Sequence, residues 1–455
     1  MFVNRKNELN ELEQSWKDKK SNFLIVYGSR RVGKTGLIKQ FLQNKFGFYF
    51  LADRLPEREN LKTLTRIVKS TYEDEFLGNF EDWYTFFNYL KSNVKRKIVI
   101  IIDEFPYLLE TNPALSSIFQ KGWDEYLKDL SVFFILCGSS IGMMEREALT
   151  YKAPLYGRRT GQLFIKPLSF YNFTEFFPKV SFERKLELFT ISGGIPAYIQ
   201  QFNSKLSVKE NLTKFILQPG SYLYQEVDFI LKEEVRTPRV YFSILKAIAL
   251  GKRKFGDIVN ETGLEKTSLH KYLYILEELQ LIQKEFPVTE KNIAKSRKGL
   301  YKLTDNFFRC WFNFVFPFHS ELEFGNIEPS IYRFEQYFTH LAALIYEEIS
   351  VDIIRLYQNK LFQFSRVGRW WHKENEIDIV AYDFLKKNIL FAEVKWSKNL
   401  VGTNIYYSLR EKSELVNWEW EKSHFALVSR SGFTKDMISL AEKENVLLIK
   451  GDEIV

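Results

Sequence analysis

The stretch "IVYGSRRVGKTGLI", residues 25–38, decides how the first half of the chain is read. It sets glycines, a lysine and a threonine between apolar residues, and Gly28, Gly33, Lys34 and Thr35 fit the spacing G-x-x-x-x-G-K-[ST]. Phe23 to Tyr27 is a short apolar run that reads as a buried strand. From Gly36 to Phe41 the apolar residues return with helical spacing. A strand before and a helix after are the context in which this spacing makes a phosphate-binding loop. Glycines let the backbone curl until its N–H groups face one anion, and the helix N-terminus adds partial positive charge at the same place. The residues expected around the phosphates are Gly28, Ser29, Arg30, Arg31, Val32, Gly33, Lys34, Thr35 and Gly36. Lys34 is expected to reach the terminal phosphates, and the Thr35 hydroxyl to ligate Mg²⁺.

A phosphate loop needs a partner carboxylate, and "KIVIIIDEFPYL" supplies one. Ile98 to Ile102 is a continuous apolar run, as in a central parallel strand, and it ends in Asp103 and Glu104. Asp103 is expected to hold Mg²⁺ through water, and Glu104 to orient and polarise the attacking water. The competing reading of this pair is a solvated turn. "FGFYFL" from Phe46, "VFFILCGSS" from Val132 and "GQLFIKP" from Gly161 add three more strands, with helical stretches between. Such alternation predicts a parallel sheet with helices on both faces and ligands beyond the carboxyl ends of the strands. The run through Cys137 brings Ser139 and Ser140 to that edge, either to sense a γ-phosphate or as an ordinary serine turn.

Composition sets outer limits. The chain has 455 residues, 45% of them hydrophobic, with 42 Phe and 24 Tyr, so it can build several Phe-rich cores. Its two cysteines, Cys137 and Cys310, exclude a disulfide framework and a cysteine-based zinc site, and suit a reducing cytoplasm. The charged start, from Arg5 onward, predicts no signal peptide, and no apolar run is long enough to span a bilayer. A net charge of +8 permits an anionic partner such as nucleic acid.

These residues resemble the AAA+ superfamily, in particular the archaeal-type ATPases near its STAND branch. "FVNRKNEL" resembles the N-terminal box of that family, with Phe2, Arg5 and Glu8 beside the adenine. "LYGRRTGQLFIKPLSF" resembles its segment with an arginine finger, here Arg158 or Arg159; binding of backbone carbonyls or nucleic-acid phosphate is the other reading. "SGGIPAYI" resembles its G-x-P lid motif, which implies that Gly194 and Pro196 flank the nucleotide. The likeness covers most of residues 1–235. It implies ATP and Mg²⁺ as cofactors, Lys34 and Glu104 as catalytic groups, and a homo-oligomer if the finger acts in trans. No clear sensor-2 arginine stands in the lid, which favours a switch-like ATPase over a motor.

Residues 238–305 read as helix, helix, helix, hairpin, the order of a winged helix. The third helix, "EKTSLHKYLYILEELQLI", turns Leu269, Leu273, Leu276 and Leu279 inward and presents Lys266, Thr267, Ser268, His270 and Lys271. From Lys284 to Lys302 six basic residues stand against two acidic ones, which suits duplex DNA; the other use of such a module is protein contact or a lid. Further on, Glu347 lies on a helix, and Ile377–Ala381 and Ile389–Lys395 read as strands. Alternation puts Glu393 and Lys395 on one face, and neighbouring strands bring Asp378 beside them. The set resembles the PD-(D/E)XK nuclease superfamily and the DUF234-type domain that follows this ATPase class. That likeness, over residues 331–455, implies Asp378 and Glu393 as metal ligands, Lys395 as the group assisting the nucleophile and Glu347 as the helix-borne acid.

The architecture expected is α/β. A P-loop AAA+ core (1–167) carries a helical lid (168–236), then a winged helix (237–305), a connector (306–330) and a restriction-endonuclease-like domain (331–455). The function expected is a cytoplasmic ATPase coupled to DNA binding and metal-dependent DNA cleavage. The alternative is a STAND-like switch or scaffold whose nuclease fold is silent.

Overall fold

The first sheet is built from the runs that carry the least polarity. The structure, a computed structural model, describes residues 3–18, 20–235, 237–385 and 387–455. Its first five strands are β1 (Asn22–Tyr27), β2 (Gly47–Leu51), β3 (Ile98–Asp103), β4 (Val132–Gly138) and β5 (Gly161–Phe164). They lie in the order β2-β3-β4-β1-β5, every neighbour parallel, as the alternation of strands and helices predicts. β1, β3 and β4 are buried along their whole length, which is why they lack the polar alternation of a one-sided strand. Phenylalanines fill the layers around the sheet: Phe23 meets Trp123 and Phe134, and Phe41 meets Phe133. β1 stands between β4 and β5, one strand in from the β5 edge, and the loop that leaves it opens beyond the carboxyl ends of the strands.

The chain divides into two units. The first holds this sheet and comprises residues 1–176, 194–200 and 232–236; the second comprises 177–193, 201–231 and 237–455.

Within the second unit, helices Pro238–Ala249, Phe255–Thr262 and Lys266–Glu278 precede an antiparallel hairpin of β6 (Ile282–Glu285) and β7 (Leu300–Leu303). That is the element order expected. Leu269, Leu273, Leu276 and Leu279 are buried, while Lys266, Thr267, His270 and Lys271 are exposed. The aromatic stripe of helix Asn306–Phe314 is buried over all its residues, and Trp311 Nε1 donates to Tyr224 O at 2.7 Å. Its aromatic residues are packing groups.

The remaining strands are β8 (Arg366–His372), β9 (Asn375–Tyr382), β10 (Asn388–Lys395), β11 (Lys422–Ser429), β12 (Leu447–Lys450) and β13 (Glu453–Ile454). Their order is β13-β12-β11-β10-β9-β8; β10-β11-β12 run parallel and the outer pairs antiparallel. Helix Glu328–Leu356 packs on β9 and β10. The segment between β6 and β7 reaches the outer strand: Val288 N–H donates to Arg369 O at 2.9 Å, and Tyr382 OH donates to Val288 O at 3.1 Å.

Candidate functional site

The loop after β1 takes its shape from two glycines. Gly28 has φ 152°, and a Cβ there would stand 2.4 Å from the carbonyl oxygen of Ile165. Gly33, at φ 98°, caps the N-terminus of helix Lys34–Leu42. Lys34 is buried and folds back over the loop, donating to Gly28 O and Ser29 O, each at 2.9 Å. Burial pulls its pKa down; Cys137, Glu104 and Asp103 work against this, and nearby Arg30 adds to the lowering.

β3 delivers the carboxylates. Asp103 is fully buried; its Oδ2 accepts from Thr35 Oγ1 and from Tyr49 OH, both at 2.8 Å. Burial, then the adjacent Asp103, raises the Tyr49 phenol far above its ordinary pKa, so it stays a donor. The Thr35 hydroxyl and the Asp103 carboxylate fit Mg²⁺, which takes few protein oxygens and keeps waters. Glu104 leaves the strand in the left-handed conformation, φ 54°, and caps helix Phe105–Thr111. Its Oε2 accepts from Ser139 N at 3.1 Å and from Ser139 Oγ at 2.7 Å. Arg30, Arg31, Gly33, Lys34, Thr35, Glu104 and Ser139 line one cavity of 300 Å³. Of the two readings of Ser139, the serine at the site is the one the geometry favours. Ser140 instead donates to Glu234 Oε2 at 3.3 Å, a carboxyl that burial pushes up to about 7.

Arg5 is buried and braces the loop from outside, donating to Val32 O and Lys166 O at 2.7 Å each and pairing with Glu8 at 2.8 Å. Phe2 of the same box lies outside the described residues. Pro196 opens helix Pro196–Ile199 and lies beside Gly33, 3.9 Å from the position of a Cβ there. Gly194 faces Leu168, whose N–H it accepts at 2.7 Å. Arg158 binds Asp124, with Nη2 to Oδ2 at 3.0 Å, and Arg159 donates to Ala148 O at 2.9 Å. Both guanidinium groups thus have partners in their own chain, and neither lines the 300 Å³ cavity.

The second unit brings together the other expected set. Lys395 Nζ lies 2.8 Å from Glu393 Oε1 on β10, and Asp378 on β9 accepts the Val394 N–H at 2.8 Å. Burial, then repulsion from Glu393, raises the Asp378 carboxyl; burial, then Asp378, raises Glu347 on helix Glu328–Leu356. Burial works against the Lys395 ammonium, but Glu393 outweighs it and raises its pKa. Glu393 Oε2 is buried with no hydrogen-bond partner, an orphaned oxygen that fits a cation. Among the described residues no group of three or more His, Cys, Asp and Glu is arranged to hold a metal. Glu347 and Asp378 also line a cavity of 490 Å³ with Arg253, Gln283 and Arg369.

Sequence reasoning missed several partners. Lys412, on helix Thr403–Ser413, lies 3.2 Å from Glu393 Oε1. Glu233 pairs with Arg30 at 2.7 Å, and Tyr49 reaches Asp103 from the neighbouring strand. No spacing announces Lys412 or Glu233; for Tyr49 the parallel pairing of β2 with β3 is the signal.

Residues 2–202 match a family model described as an ATPase domain predominantly from Archaea, and residues 311–411 match one described as archaeal and bacterial proteins of unknown function. An uncharacterised protein of Methanocaldococcus jannaschii, MJECL04, is 38% identical over 441 residues, 96% of this chain and 97% of its own length. The chain belongs to this archaeal ATPase family. An uncharacterised ATP-binding protein of the same organism, MJ0423, is 64% identical over 45 residues, 10% of this chain and 76% of its own. The Walker-type ATPase of Pyrococcus abyssi is 21% identical, covers 68% of this chain and 96% of its own, and superposes with a TM-score of 0.51, a likeness of fold. The archaeal ATPase is thus an α/β protein and an ATP hydrolase. Among its described residues no helix is long and apolar enough to cross a membrane.

Proposed function

We propose that this ATPase couples ATP turnover to DNA, and that its C-terminal site cuts phosphodiester bonds with a divalent metal. The nucleotide chemistry follows from residues already described. With nucleotide bound, Lys34 would leave the loop carbonyls for the terminal phosphates, Thr35 and Asp103 would hold Mg²⁺, and Glu104 would take a proton from the attacking water. The metal would neutralise charge on the phosphate oxygens. Ser139 donates to Glu104 Oε2 at 2.7 Å, which orients the acceptor of that proton.

What supports the second half is that Lys395 contacts Glu393 Oε1, Asp378 is held at the Val394 N–H beside Glu393, and Glu393 Oε2 is left without a partner. Asp378 and Glu393 would hold the metal, which supplies a nucleophilic water, and Lys395 orients it. DNA is favoured as the partner by the exposed Lys266, Thr267, His270 and Lys271 of the third helix. One observation favours the rival reading, a nucleotide switch with a silent nuclease fold: both Lys395 and Lys412 bind Glu393 Oε1 and compete with a metal. The domain division at 167, 236, 305 and 330 belongs to this proposal.

The test is ATP hydrolysis and Mg²⁺-dependent cleavage of plasmid and short duplex. Lys34→Ala is expected to abolish tight nucleotide binding, and Glu104→Gln to keep binding while turnover falls at least about a hundredfold. Lys395→Ala is expected to stop cutting with DNA still bound and the ATPase intact. No cutting by the unaltered protein under any metal or nucleotide condition would select the switch.

A further inference from the structure

Arg30 differs from Arg158 and Arg159, the arginines of the finger-like segment. It lines the nucleotide cavity with Lys34, Thr35, Glu104 and Ser139. Arg158 and Arg159 are bound to Asp124 and to backbone carbonyls. Arg30 is held at two points: Nε lies 2.7 Å from Glu233 Oε2, and Nη2 donates to Tyr107 OH at 2.9 Å. A guanidinium carries five N–H donors in a planar fork, and these contacts leave both protons of Nη1 and one of Nη2 for a ligand. Tyr107 sits on the helix that Glu104 caps, and its N–H donates to Glu104 O at 2.9 Å. The cation and the proton acceptor are therefore fixed to one short rigid element.

We infer that Arg30, held by Glu233 and Tyr107, is the arginine that neutralises charge developing on the γ-phosphoryl group, supplied by the same chain that binds the ATP. The inference rests on the hydrolysis reading of this site. In the step, the oxygen of water bonds to the γ-phosphorus while the bond from that phosphorus to the β,γ-bridging oxygen breaks. The electron pair of the broken bond stays on ADP, and the proton of water passes to the Glu104 carboxylate. The products are ADP and inorganic phosphate. A planar fork can bind two of the oxygens on which the charge is spread in one fixed geometry, which the rotating ammonium of Lys34 does not impose. Glu233 and Tyr107 act as positioning residues, and no second subunit is required.

The experiment compares unaltered protein with Arg30→Ala, Arg30→Lys, Glu233→Gln and Arg158→Ala, each checked for folding by thermal melting. Hydrolysis is measured beside the affinities for ATPγS and for ADP with tetrafluoroaluminate. Arg30→Ala is expected to lower kcat at least about a hundredfold and to lose tetrafluoroaluminate affinity in proportion, with ATPγS affinity within about fivefold. Arg30→Lys is expected to recover less than a tenth of the loss, because it restores charge without the fork. Glu233→Gln is expected to lower kcat and leave KM unchanged, a split that a merely structural contact would not give. Arg158→Ala is expected to keep kcat within about threefold. An Arg30→Ala protein with more than a third of normal kcat overturns the inference, as does its rescue by mixing with Lys34→Ala chains, which would mean a finger in trans. If the unaltered protein itself hydrolyses no ATP, the hydrolysis reading fails instead.

Discussion

Glu104 shows what single residues in this protein trade. A left-handed backbone at a glutamate costs of order 1 kcal/mol or more, yet it aims the carboxylate across the strand end at Ser139. Glu234 lies close by, with its carboxyl raised to about 7 by burial. A raised acid makes its full contribution to stability below the unfolded value, about 4.3, and loses it as pH climbs through 7. Measured by denaturant unfolding, the stability of the native protein relative to Glu234→Gln should therefore fall by up to about 3 kcal/mol between pH 4 and pH 8. A pH-independent difference would mean that Glu234 ionises as an ordinary surface acid. At this scale the sequence was readable where chemistry demands fixed spacing, as for Lys34, Thr35 and Asp103. It was silent for Glu233 and Lys412, which arrive from helices distant in sequence and follow no periodic rule.

Elements were more legible than their partners. The strands of the first sheet announced themselves because a parallel strand buried on both faces has no polar residue to blur its limits. β9 and β10 followed from alternation, which also put Glu393 and Lys395 on one face. The two strands of the hairpin follow from the sequence, while several of its cations have partners within the protein. Lys298 pairs with Glu290, and Lys302 with Glu285 and Glu348; Lys291 lies over the ring of Trp418. These partners are invisible to a count of basic residues. Lys295 and Arg297 stay exposed. Reversing the charge of these two should weaken duplex binding and flatten the log–log salt dependence by about 2, since each phosphate contact contributes about 0.9. Titrations across a salt series check this, and an unchanged slope would exclude the hairpin tip from DNA.

At the scale of the molecule, each unit has its own way of tying distant chain together. In the second, Glu348 is the knot. Burial would raise its carboxyl, but Arg309 and Lys302 outweigh this and hold it down at about 2. Arg309 grips both oxygens, at 2.9 and 3.1 Å, and Lys302 of the hairpin adds a contact at 3.2 Å. The Glu348 side chain is 36% exposed, so water offsets part of what its partners lose, and Glu348→Gln should cost about 1–3 kcal/mol in chemical denaturation. A loss below about 1 kcal/mol would make the group no more than a surface pair. Nothing in the sequence marks Glu348 over its neighbour Glu347, because helical phase alone does not say which cations the fold will bring.

The bond from Val288 to β8 has a consequence for how the protein behaves in a crowded solution. β8 is the last strand on its side of the six-stranded sheet, and an uncovered last strand is a template on which another chain can crystallise into fibrous order. The segment that carries Val288 meets one carbonyl of that edge, Arg369 O. Any event that pulled it off β8 would return that carbonyl to the open edge and lengthen the stretch on which another chain can pair. Part of the protein's solubility therefore rests on where this one segment sits.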